Sequence, residues 1–134
     1  MVIMETAPAS SWRKQNASYN LVGNKCEKCG AVYFPSRIIC KNCGRESKLK
    51  EHKLTGEGEV YSYTNITAPS DTFKDDAPYT VGMIKTIEGP LVEGHIVENG
   101  KEVKIGAKVR TVLRKMYVDG DEGLIHYHYK FELV

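Results

Sequence analysis

Cys26-Glu27-Lys28-Cys29-Gly30, answered by Cys40-Lys41-Asn42-Cys43-Gly44, holds all four cysteines of this 134-residue chain, with ten residues between Cys29 and Cys40. A Cys-x-x-Cys turn delivers two thiolates from one tight loop, and two such turns complete the tetrahedron that a d¹⁰ zinc ion prefers. Each turn ends in glycine, the residue that most cheaply takes the backbone conformation closing such a knuckle. Four thiolates leave no position for water or substrate, so the expected metal is structural: one zinc ion on Cys26, Cys29, Cys40 and Cys43. Disulfides fit less well, because the apolar start at residues 1–4 is too short for a secretory signal and is followed by Glu5, making a reducing, cytoplasmic setting the expectation. Redox duty normally uses a single Cys-x-x-Cys at a strand-to-helix junction, not two glycine-terminated copies. Iron in a rubredoxin-like site stays open beside zinc.

The expected organisation follows from that reading. Residues 22–48 form a zinc ribbon too small to bury a core of its own, which is why it needs the metal. Residues 1–21 are an N-terminal segment and residues 54–134 a separate β domain. No run of 18 apolar residues suggests a membrane span. Residues 1–55 hold ten Lys/Arg against four Asp/Glu, a net of +6, while residues 56–134 hold nine against thirteen, a net of −4. The ribbon half therefore suits an anionic partner, and the second half disfavours a polyanion lying across it.

Residues 1–10 read as a loose lead-in and residues 12–18 as one short helix capped by Ser10 or Ser11. Trp12, the only tryptophan, either anchors that helix to its own subunit or docks on a partner. Between the knuckles, Ala31-Val32-Tyr33-Phe34-Pro35-Ser36-Arg37-Ile38-Ile39 reads as two short strands broken at Pro35. Adjacent strand residues face opposite ways, so one of Tyr33 and Phe34 is expected to cover the thiolates. The other then lies exposed beside Lys25, Lys28 and Arg37, suited to stacking on a base and meeting phosphate.

From Leu54 the pattern is β throughout: strands at 59–67, 79–87, 91–97 and 108–118, with turns at Glu88-Gly89-Pro90, Asn99-Gly100 and Asp119 to Gly123, and a long polar loop at 68–78. In the last strand Ile125, Tyr127, Tyr129, Phe131 and Leu133 alternate with His126, His128, Lys130 and Glu132, predicting a core face and a polar face. Five strands in about 75 residues with no room for a crossover helix predict a mainly β chain ending in a five-stranded OB-fold barrel, an SH3-like barrel being the alternative. His126 and His128 are two apart on the polar face, with no third ligand at a suitable spacing for a second metal. No P-loop, dinucleotide fingerprint, Gly-x-Ser-x-Gly or His-Glu-x-x-His is present, so no catalytic site is expected.

The order of these segments resembles one family. Cys26 to Gly30, Tyr33-Phe34-Pro35-Ser36-Arg37, Cys40 to Gly44, Gly58-Glu59-Val60-Tyr61-Ser62-Tyr63-Thr64, Ala77-Pro78-Tyr79 with Val81-Gly82, Glu88-Gly89 and Ile105-Gly106 together are similar to the acyl-CoA-associated zinc-ribbon/OB-fold proteins, a domain of unknown function common in archaea and bacteria. Ser36, where a second proline is often found, departs from that pattern. The resemblance implies a non-catalytic subunit. In its archaeal form, which a bare single copy fits, it implies a bridge between acetoacetyl-CoA thiolase and 3-hydroxy-3-methylglutaryl-CoA synthase of the mevalonate route, with a shared CoA site through which acetoacetyl-CoA is channelled. Lys25, Lys28, Tyr33, Phe34 and Arg37 are then the candidates for the nucleotide end of CoA. A nucleic-acid binder is the rival, since ribbons and OB folds both serve that purpose.

Overall fold

The structure, a computed structural model, describes residues 8–118 and 120–134. The lead-in expected for residues 1–10 therefore falls largely outside the described residues, as does Asp119 of the last turn. Two short helices come first, α1 (Pro8–Arg13) and α2 (Gln15–Asn20). The single helix expected over 12–18 is corrected by Lys14, whose ψ of 1° takes it out of the helical register. Leu21 ends α2 in the left-handed conformation, φ 51°, while its side chain is 1% exposed. That backbone costs about 1–2 kcal/mol for a residue with a Cβ, and the buried leucine offsets it.

A three-stranded antiparallel sheet follows, β1 (Val22–Cys26), β2 (Val32–Tyr33) and β3 (Leu49–Lys53), in the order β2-β1-β3. Here the expectation of two strands around Pro35 is corrected. Only Val32–Tyr33 pairs, and the second long edge of β1 is taken by β3, in register from Val22↔Lys53 to Cys26↔Leu49. Leu49-Lys50-Glu51-His52-Lys53 carries one apolar residue and no alternation, so its strand character comes from pairing alone.

The remaining strands are β4 (Glu57–Ile66), β5 (Tyr79–Thr86), β6 (Leu91–Val97), β7 (Lys108–Val118) and β8 (Ile125–Leu133). They close as β4-β5-β6-β8-β7, with β7 returning to β4. Neighbours are antiparallel except β6 and β8, which run parallel through Ile96↔Phe131 and Val97↔Glu132. This is the OB arrangement, which settles the choice against an SH3-like barrel. Val60, Ile84, Val92, Ile96, Val109, Tyr129, Phe131 and Leu133 fill it.

The alternation in β8 holds for its second half only. Tyr129, Phe131 and Leu133 are buried, but Ile125 and Tyr127 are exposed, because β7 and β8 continue as a two-stranded hairpin after β4 and β6 have left them. Leu21 and Leu54 belong to the same buried cluster as the barrel residues, and Val32 and Phe34 pack against it. Ribbon and barrel therefore share one core.

The short parallel seam has a polar clasp. Glu132, nearly buried, accepts from Arg110 Nε of β7 at 2.6 Å and from Asn99 Nδ2 at 3.1 Å, in the turn that follows β6. These bonds, the Arg110 one foremost, hold its carboxyl below the ordinary 4.5. A lowered folded-state pKa contributes stability that is complete above the ordinary value and is lost as pH falls through the folded one. Urea titrations from neutral pH to about pH 3 should find Glu132→Gln less stable than the parent near neutrality, the gap closing below about pH 4.5. A gap of constant size would contradict the clasp.

Candidate metal centre

Cys26 is the last residue of β1, Cys29 follows in the first knuckle, and Cys40 and Cys43 frame the second. The two knuckles repeat one geometry. Gly30 N–H donates to the Cys26 carbonyl at 2.8 Å and Gly44 N–H to that of Cys40 at 3.0 Å, and both glycines have positive φ, 79° and 58°. A side chain at either position would be strained, in keeping with the closing role expected of these glycines.

The four sulfurs lie within 4.8 Å of one another, with Cys26 and Cys43 at 3.9 Å and Cys29 and Cys40 at 3.4 Å. A zinc–sulfur bond of about 2.3 Å gives a tetrahedron edge of about 3.8 Å, so the residues fit the ion. Among the described residues, no other group of three or more metal-ligand side chains comes this close, and His126 and His128 join none. Cys40 is lowered to about 6, chiefly by a hydrogen bond from the Tyr33 hydroxyl, whereas burial pushes Cys43 up to about 12. Left to themselves, the four thiols would not all ionise near neutral pH. A divalent cation at the centre is what lets four thiolates stand together.

Surrounding residues hold the frame. Tyr33 Oη lies 3.3 Å from Cys40 Sγ and accepts the Lys41 N–H at 3.0 Å. Buried Asn24 acts as a surrogate strand: its Nδ2 donates to the Arg37 carbonyl at 2.6 Å and its Oδ1 accepts the Arg37 N–H at 3.2 Å. Nothing in the sequence marked Asn24 out. Its neighbour Gly23 passes so close to the Tyr33 backbone that a Cβ would sit 2.0 Å from that carbonyl oxygen.

The five residues expected to meet a nucleotide are only partly brought together. Arg37 lies over the Tyr33 ring, 5.3 Å from its centre, and Lys25 is exposed nearby on β1. Lys28 is tied to Glu46. Phe34 turns the other way and meets Tyr129 edge-on at 5.9 Å. Tyr33 does cover a thiolate, but the second aromatic is not left exposed, because the barrel core takes it. Large apolar side chains are exposed as well: Ile38 at 95% and Ile39 at 54%, on the loop leading to the second knuckle, and Trp12 at 75% on α1. Trp12 therefore does not anchor its helix by burial.

A further stacked group lies on the outer face at one end of β5 and β6. Tyr79 stacks on His95 at 4.7 Å, and Phe73, from the loop between β4 and β5, packs on His95 at 5.3 Å. OB folds bind oligonucleotides on this face and its loops, and here the chain's own rings stack on one another at one end of it. No helix among the described residues is long and apolar enough to cross a membrane.

Removing the metal should undo the ribbon and spare the barrel. With a strong chelator, hydrogen exchange is expected to rise by orders of magnitude at amides of β1, β2 and β3 while β5 and β6 keep most of their protection. Unchanged exchange in β1 would show that the metal does not hold the sheet.

Residues 17–49 match the family model described as ChsH2, rubredoxin-like zinc ribbon domain, and residues 51–114 match ChsH2, C-terminal OB-fold domain. Three relatives described as DUF35 domain-containing scaffold proteins align over most of the chain. That of Methanothermobacter thermautotrophicus is 44% identical over 130 residues, 96% of this chain and 98% of the relative. Those of Methanocaldococcus jannaschii and Pyrococcus furiosus are 42% and 36% identical, covering 91% and 90% of this chain and 87% and 88% of theirs. Among solved structures, the Ltp2-ChsH2(DUF35) aldolase matches with a TM-score of 0.69 at 22% identity, over 99% of this chain and 98% of that one. A DUF35-family protein of Sulfolobus solfataricus matches with 0.55 at 22%, over 96% and 87%. At that identity the two structures speak for the fold. The relatives and the two family models together establish that this chain belongs to the DUF35 family of zinc-ribbon/OB-fold proteins.

Proposed function

We propose that the chain is a non-catalytic scaffold subunit that bridges acetoacetyl-CoA thiolase and 3-hydroxy-3-methylglutaryl-CoA synthase and helps form a shared CoA site, so that acetoacetyl-CoA passes between them without release. The observation that carries this reading is the scaffold description of relatives 36–44% identical over nine-tenths or more of the chain. The Ltp2-ChsH2(DUF35) aldolase, whose fold this chain matches, adds an enzyme context for another member of the fold. The identity of the two enzymes comes from the family resemblance and is the part to be tested.

The chemistry of the chain supports a binding role. Its four cysteines close a ligand sphere, and a metal with no open position cannot activate water or substrate. Trp12, Ile38 and Ile39 are large apolar side chains outside the core, the first on the helical segment and the other two on the metal-held ribbon loop, where they can meet another protein. The net −4 of residues 56–134 weighs against the nucleic-acid alternative.

Tagged chain purified from its own cells at moderate salt should bring both enzymes with it. The double variant Ile38→Glu with Ile39→Glu should weaken that association by ~10-fold or more, the scale of losing one buried apolar anchor, with zinc content unchanged. Recovery of the chain without acyl-CoA enzymes, or acyl-CoA turnover by the chain alone, would overturn the proposal.

A further inference from the structure

Strand β4 has a continuous neighbour on one side only. There β5 runs beside it from Gly58 to Ile66, whereas on the other edge β7 reaches Glu57, Gly58 and Glu59 alone. Val60 makes the last bonds on that edge, its N–H donating to the Ala107 carbonyl at 2.9 Å and its carbonyl accepting the Gly106 N–H at 2.8 Å. The register then shifts between Val60 and Ser62, a bulge that falls where β4 parts from β7. Every residue from Tyr61 to Asn65 is exposed, and among the described residues no strand pairs with this edge of them. We propose that a second copy of this chain pairs there, β4 against β4, across a two-fold axis.

An open edge presents backbone donors and acceptors that template another strand, and natural proteins blunt such edges with charge or keep them short. This chain does both elsewhere. β2 is two residues long, β3 carries Lys50, Glu51 and Lys53, and β7 beyond its pairing with β4 carries Arg114 and Lys115. Ahead of their short parallel seam, β6 carries Glu93 and β8 carries Lys130. By contrast, Tyr61-Ser62-Tyr63-Thr64-Asn65-Ile66 has no charge, no proline and no glycine, and its tyrosines, threonine and isoleucine are strand formers. It is an undefended edge in a chain that defends its others.

Symmetry, charge and composition favour a second copy as the occupant. An antiparallel pair of identical strands is related by a two-fold, so an axis at Tyr63 sets Tyr63 against its own copy and Tyr61 against Asn65 of the second chain. Both open edges are completed at once and the assembly closes at two. In that register no like charges face each other. Glu59, the nearest charged residue before the stretch, stands beyond it and is bridged to Lys108 at 3.2 Å, and the whole chain is only +2. Tyr61 and Tyr63 are 58% and 41% exposed, and Ile105, 72% exposed, precedes Gly106 at the end of the same edge, the aromatic and apolar side chains that interface centres favour. This pairing stands on the barrel alone and is independent of the scaffold reading.

Sedimentation equilibrium on the zinc-loaded full chain tests this. The parent should pass from monomer to dimer as concentration rises. Tyr63→Lys brings two ammonium groups together at the axis and should weaken the dimer by ~10-fold or more, while Lys115→Gln, on the charged β7 edge, leaves it unchanged. Tyr61→Lys combined with Asn65→Glu sets unlike charges opposite each other on both sides of the axis and should associate more tightly than Tyr61→Lys alone. Circular dichroism and zinc content check each variant's fold, and the Tyr61 and Asn65 comparison remains decisive if Tyr63→Lys fails to fold. A parent that stays monomeric at millimolar concentration, a dimer indifferent to Tyr63→Lys, or no gain from adding Asn65→Glu would overturn the pairing. A monomer whose recovery of acyl-CoA enzymes falls with Tyr63→Lys would show that the edge takes a strand of another protein, and would overturn the second copy as its occupant while leaving the scaffold reading in place.

Discussion

Four thiolates within 4.8 Å of one another repel unless a cation sits among them, and the ribbon is built around that condition. About thirty residues cannot bury enough apolar surface to offset the entropy of being ordered, so the metal provides what a core would. The knuckle glycines, the Tyr33 hydroxyl on Cys40 and the paired hydrogen bonds of Asn24 to Arg37 then shape the loop between the knuckles. That loop carries Ile38 and Ile39 into solvent on a rigid frame.

The ribbon is also joined to the barrel by side chains, and this makes it more than an appended finger. Phe34 leaves the metal-side sheet to meet Tyr129, Leu21 and Leu54 complete the same buried cluster, and Tyr129 in turn donates to the Glu93 carbonyl at 3.0 Å. Order at the metal is thereby linked to β8, the strand between β6 and β7 in the barrel. A scaffold needs such rigidity, because surfaces presented to a partner are useful only if their spacing is fixed.

Much of this was legible in the sequence. The two glycine-terminated Cys-x-x-Cys turns specify the metal site without any long-range information, and the turn residues between period-two runs delimit all five barrel strands. What stayed hidden depends on tertiary pairing. β3 has no strand pattern of its own and exists because β1 offers an edge. Tyr33 and Phe34 look equivalent in sequence, and only the position of the barrel decides which one is drawn from the metal to the core. Ile38 and Ile39 read as the end of a second short strand, yet the backbone of Arg37 pairs with the Asn24 side chain instead of a strand partner, and both isoleucines stand in water. The alternation in β8 overstated its core face, since periodicity does not reveal where neighbouring strands stop.

The central claim is that the metal is closed and structural and that function is presented, not catalysed. Replacing zinc by cobalt makes the ligand sphere visible, because thiolate-to-cobalt charge transfer and the d–d bands report ligand type and coordination number. The account predicts a tetrahedral four-sulfur spectrum that acyl-CoA leaves unchanged, whether the chain is alone or assembled with the proposed partner enzymes. A five-coordinate spectrum, or bands that move when acyl-CoA is added, would reveal an open position at the metal and contradict it.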